Sequence, residues 1–200
     1  MPSAERVALG LRAHSGWAVL VVLGGPAASP AVVDRRRLVL CDDSFPRQPY
    51  HAAAELPAPR AEALVQRSRD AAARLARQAL VAAVKDRSGQ HVAGAGLLLG
   101  SARPLPRELA KVLGSHPLIH TAEGEMYRDV LRSGCEGASI EVVGFREREL
   151  EATAARRLHL APAVVRTRLA ALGKPLGPPW TQDEKLAALA AWLALREAKG

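Results

Sequence analysis

Three β-rich runs crowd into the first 41 of 200 residues, and that crowding restricts the fold more than any other feature. Residues 6–12 (RVALGLR) and 16–23 (GWAVLVVL) are separated only by Ala13-His14-Ser15, the spacing of a β-hairpin. Gly24 to Pro30 is a turn segment, and a third strand is expected over 31–41 (AVVDRRRLVLC). Arg35, Arg36 and Arg37 sit at the centre of that run. Three successive arginines cannot all face a core, so the strand is read as an exposed edge.

After this meander the pattern changes. Pro46, Pro49, Pro57 and Pro59 predict irregular chain over 42–59. A long helix follows from Ala61 to Val84, with Leu64, Ala71, Leu75, Ala79 and Ala82 as its buried stripe and Arg67, Arg74 and Arg77 outside it. Residues 91–99 (HVAGAGLLL) are apolar on both faces and read as a central strand. Pro104 and Pro106 open a short helix ending near Gly114, and another helix is expected over 122–132. Residues 139–143 (SIEVV) give a fifth strand, and helices are expected over 146–159, 162–172 and 182–197. Thr181 and Glu184 form a capping box at the start of the last one. The expectation is one α/β domain over 1–200, β-β-β-α-β-α-β-α, with a helical part from 146 to 200. Leu186, Leu189, Ala190 and Leu193 are read as a face that docks on the sheet.

This order of elements is similar to that of the ribonuclease H-like fold, with its mixed five-stranded sheet. Residues 10–20 (GLRAHSGWAVL) resemble the first hairpin of the Holliday-junction resolvase branch, and residues 183–194 (DEKLAALAAWLA) resemble its last helix. The resemblance implies a nuclease-like hydrolase that holds two metal ions between several acids. It also places Arg12 where the family has its first-strand aspartate. The fourth strand, ending at Leu99 to Ser101, offers no glutamate. Of the family's acidic set only Asp183 has a counterpart, so the acidic site reads as degenerate.

The charge suits a nucleic-acid partner. The net charge is +8 and the cations are mostly arginine, which bonds phosphate in a bidentate fashion. A GC-rich genome encodes alanine and arginine heavily whatever the function, so charge alone leaves that partner open. The phosphate-contacting candidates are Arg12, Arg35, Arg36, Arg37, Arg67 and Arg74. Cys41 and Cys135 share no metal-ligand spacing, which fits a reducing compartment. No run reaches the roughly 18 apolar residues of a membrane helix. The residues up to Arg12 lack a signal-peptide pattern, so a soluble cytoplasmic protein is expected.

Other residues offer different chemistry. In 115–125 (SHPLIHTAEGE), His116, His120 and Glu123 would form a divalent-metal site or an acid–base pair. Against that, Thr121 reads as a helix N-cap with Glu123 and Glu125 in the first turn, and Pro117 would keep His116 and His120 off one continuous helix. His14 lies at a strand end, where sites in open sheets gather, and would converge there with Ser15, His51 and His120. His14, His120, Glu123 and Asp183 are the catalytic candidates. Asp183 either points toward the strand ends or serves the helix dipole.

Residues 154–172 match the spacing of a helix-turn-helix, with Arg156, Arg157, Arg166 and Arg168 as contacts, a pattern that paired amphipathic helices also produce. Phosphate-binding loops, a Gly-x-Ser-x-Gly elbow and His-Glu-x-x-His are absent from the sequence. Three classes therefore stand: a nucleic-acid-associated protein, a small hydrolase or ligand-binding module built on the His/Glu cluster, and a non-catalytic protein that meets a partner through the Trp180–Trp192 helix.

Overall fold

The computed structural model describes residues 5–100 and 104–197; Met1, Ser101 and Lys199 lie outside them. Strands β1 (Glu5–His14), β2 (Trp17–Gly24), β3 (Ala31–Val39), β4 (Gln90–Leu99) and β5 (Val142–Arg146) form one sheet in the order β3-β2-β1-β4-β5. The meander β1–β2–β3 is antiparallel, while β4 runs parallel to both β1 and β5. The mixed α/β sheet expected from the sequence is present, with the arginine-bearing β3 on its edge.

Helices cover both faces. On one side, α2 (Ala58–Lys85) and α4 (His116–Gly137) enclose a core with Val7, Leu9, Leu11, Leu20, Leu97 and Met126. On the other, α7 (Gln182–Glu197) lies across the sheet centre, backed by α5 (Leu150–Leu158) and α6 (Pro162–Leu172). The period of two along β1 turns Leu9 and Leu11 toward α4, and Gly10, Arg12 and His14 toward α7.

The close seat of α7 depends on small residues. Gly10 and Gly96 are register partners on β1 and β4. A Cβ on Gly10 would run into the Ala187 carbonyl, and one on Gly96 into that of Ala190. Ala187, Ala190 and Ala191 therefore pack helix backbone directly on strand backbone, which places Asp183, one turn earlier, beside the end of β1.

Several sequence expectations need correction. The 42–59 segment contains a short helix, α1 (Pro49–Ala54), because Pro49 takes a first-turn position where its missing N–H costs nothing. Pro104 and Pro106 precede rather than open the short helix α3, which spans Leu109–Leu113. For the same reason as in α1, α4 begins six residues early, with Pro117 in its first turn and Ser115 at its N-cap. Thr121 is thus inside the helix, its hydroxyl donating to the Pro117 carbonyl, and His116 and His120 share one continuous helix. The fifth strand starts three residues late, because Ser139 adopts a left-handed φ of 59° and Ile140 bonds back to Cys135. On α2 the buried stripe is Ala61, Ser68, Ala71, Ala72, Ala76, Leu80 and Ala83, so Ala71 is buried as expected, Leu64, Leu75 and Ala79 are half-buried, and Ala82 is exposed. The helix meets both α4 and the sheet, and alanine spacing alone does not fix which flank turns inward.

The last helix docks as expected. Trp192 is 1% exposed and its indole N–H donates to the Ala27 carbonyl (2.7 Å), while Trp180 donates to Leu169 (2.9 Å). That burial leaves Trp192 unavailable to a partner. The capping box is present, with Thr181 N–H donating to Glu184 (2.8 Å). Helices α5 and α6 join through His159, left-handed at φ 55°, and pack on α7 through Ala154, Val165 and Leu169. Arg166 pairs with Glu151, and Arg168 donates to the Ala28 carbonyl. Among the described residues, no helix is long and apolar enough to cross a membrane.

Candidate functional sites at one end of the sheet

The C-terminal ends of the parallel strands β1, β4 and β5 open into a cleft of about 830 Å³ on the α7 side. At its edge Arg12 donates through Nη1 to Asp183 (2.5 Å), and through Nη2 to Glu147 (3.1 and 3.2 Å). Arg12 and Asp183 are both partly buried, with side chains 20% and 28% exposed. Charge-assisted, bidentate pairing of this kind is the stronger class of ion pair. The His14 Nε2 lies 3.0 Å from Arg12 Nη1 and 3.0 Å from Asp183. A guanidinium only donates and a carboxylate only accepts, so a neutral ring satisfies one of the two according to its tautomer. Burial pushes the His14 pKa down, the charges of Arg12 and Arg37 act the same way, and Asp183 opposes them. The ring is held by stacking on its register partner Trp17 (4.0 Å, 6° between planes), and the Arg37 guanidinium covers that indole at 3.9 Å.

The charged lining of the cleft is mainly basic. Arg12, Arg128, Arg148, Arg166 and Lys185 line it, against two carboxylates, Glu147 and Glu151. Leu98, beside Arg12 on β4, adds an apolar wall.

A second polar cluster stands on the opposite, α4, side of the sheet. His51 on α1 meets His116 and His120 on α4, with ring centroids 4.4 to 5.4 Å apart. Glu123 lies behind His51 and is 2% exposed. It accepts from the Tyr50 and His51 amides (3.1 and 3.3 Å) and from His51 Nδ1 (2.9 Å). Those amides are unpaired donors in the first turn of α1, so a side chain from α4 caps that helix.

The sequence candidates thus divide. His14 and Asp183 come together with Arg12; His51, His120 and Glu123 gather elsewhere with His116, and His14 does not join them. The arginines divide too. Arg35 donates to the Gly177 and Pro179 carbonyls, Arg36 pairs with Asp34 and Asp86, and Arg37 covers Trp17. Arg67 and Arg74 lie exposed on α2, across the sheet from the cleft. Sequence reasoning missed Glu147, Arg128, Arg148 and Lys185. Glu147 immediately follows β5, and placing that strand over 142–146 would have exposed it as a strand-end acid.

No protein-family model and no curated protein sequence matches the chain. Among solved structures it is similar to RuvC of Thermus thermophilus, at 11% identity and a TM-score of 0.54, covering 94% of this chain and 92% of that one. It is also similar to T. thermophilus RuvC in complex with a Holliday junction substrate, at 12% identity and a TM-score of 0.51, covering 96% and 92%. The fold is ribonuclease H-like. The structural neighbours are Holliday-junction resolvases, and at this identity the likeness is one of fold.

Proposed function

We propose that this chain is a nucleic-acid-associated member of the ribonuclease H-like fold that holds DNA at the strand-end cleft without a conventional two-metal acid site. The observation that carries the reading is the position of Arg12. Two-metal phosphodiester chemistry needs several carboxylates converging on cations about 4 Å apart. Here a guanidinium occupies the end of β1 and engages Asp183 and Glu147 together. From β4, the neighbour on the same face is Leu98. The residues present do not fit a pair of divalent cations, and no step runs through one.

Phosphate binding needs less. A groove whose charged lining is five arginine and lysine side chains against two carboxylates attracts the backbone of DNA whatever its sequence. The solved neighbour bound to a Holliday junction supports branched DNA as the preferred shape. Three phosphate contacts would lower affinity about 40-fold between roughly 50 and 200 mM salt.

The test is fluorescence anisotropy with labelled single strand, duplex, four-way junction and RNA–DNA hybrid at two salt concentrations. Salt-sensitive binding that weakens in Arg148→Glu/Lys185→Glu, with the junction bound most tightly, is the expected result. Flat traces on all four would reduce the positive charge to composition and overturn the reading.

A further inference from the structure

The three-histidine cluster on the α4 side is a separate matter. His116 and His120 are four residues apart on one helix, which stacks their side chains on the same stripe. Both rings are exposed, while Ile119 and Ala122 beside them are buried, so the stripe runs along the solvent edge of α4. The third ring comes from 65 residues earlier in the chain. It is delivered by Glu123, which follows His120 by three positions and binds the first turn of α1 through two amides and the His51 ring.

That last bond sets the chemistry. A buried carboxylate accepting from His51 Nδ1 keeps the proton on Nδ1 and leaves the Nε2 lone pair free. Carboxylate–histidine pairs of this type orient metal-ligating imidazoles and raise their basicity. One nitrogen from each of His51, His116 and His120 lies within 4.8 Å of the others. Tetrahedral zinc, with Zn–N bonds of about 2.0–2.1 Å, separates its nitrogens by about 3.4 Å. Closing that difference would require the two exposed rings on α4 to turn inward.

We propose that His51, His116 and His120 form a binding site for a zinc-class divalent cation, with Glu123 as the group that positions His51. Three neutral imidazoles select zinc and its late first-row neighbours, whereas magnesium and calcium prefer oxygen donors. Three protein ligands leave a fourth position facing solvent, the composition of an open rather than a closed zinc site. Bound metal would tie α1 to α4. The site is independent of the DNA reading: Arg128, at the cleft, is eight residues and thus about 12 Å further along α4 from His120.

The experiment is calorimetric titration of the chelator-treated full chain with zinc chloride, paralleled by cobalt(II) absorption and thermal unfolding. One equivalent of zinc binds, raises Tm, and gives cobalt bands of a tetrahedral nitrogen-ligated ion. His116→Ala and His120→Ala alter exposed rings, so the fold survives, and each weakens binding at least tenfold. Glu123→Gln weakens it about 10- to 100-fold, and His91→Ala, an exposed control on β4, leaves it unchanged. Arg148→Glu/Lys185→Glu, which tests the cleft, also leaves the zinc isotherm unchanged, so the two readings fail separately. Absence of saturable binding, or equal affinity in the His116→Ala/His120→Ala double variant, overturns the site. A Glu123→Gln effect on stability alone overturns the positioning role and reduces Glu123 to a cap of α1.

Discussion

The two polar clusters differ in how their charges are answered. On the α7 side, Arg12 meets two carboxylates and a histidine, and each charged group faces its opposite. On the α4 side, three imidazoles face one another and the single carboxylate bonds only one of them. The first arrangement is complete within the protein: it fixes the end of β1 against α7 and β5. The second brings one nitrogen from each of three rings within 4.8 Å of the others, a donor set that a cation would complete. A polar cluster at a strand end is therefore not evidence of chemistry until its partners are counted.

The largest effect should come from breaking the support of the first cluster. Gly10→Ala forces a methyl into the Ala187 carbonyl, displaces α7 and with it Asp183, and should cost about 3 kcal/mol or more, measured by urea unfolding. Arg12→Ala leaves Asp183 and Glu147 facing each other across a partly buried gap. A loss of about 1–3 kcal/mol is expected, and a loss near zero would mean the network is only a surface pairing. His14 sharpens the contrast through pH. Its folded pKa lies below the unfolded value near 6.5, so the unfolded chain binds more protons below that pH. Its stabilising contribution is full above about 6.5 and declines as pH falls toward the folded value. His14→Gln should flatten that part of the stability profile. The smallest effect belongs to the second cluster: without metal, His116→Ala/His120→Ala should change stability by no more than about 0.5 kcal/mol, because both rings are exposed.

The sequence showed the architecture well because period-two runs and proline positions are local signals. The meander, the arginine-bearing edge strand and the docked last helix are all legible in that way. The candidate sites were legible only in part, since partners such as Arg12 and Asp183, or His51 and Glu123, are far apart in the chain. Pro117 misled for a definite reason: the same residue that breaks a helix interior is welcome in a first turn. That ambiguity hid the i, i+4 relation of His116 and His120. Glu147 was hidden by a three-residue error in β5, which the left-handed Ser139 explains.

The central claim is that Arg12 closes the acid site while the cleft still binds DNA, and the most direct test adds magnesium or manganese to saturated, labelled four-way junction. The expected result is a junction that stays bound and uncut. Metal-dependent cleavage by the wild-type chain, lost in Asp183→Asn, would contradict it.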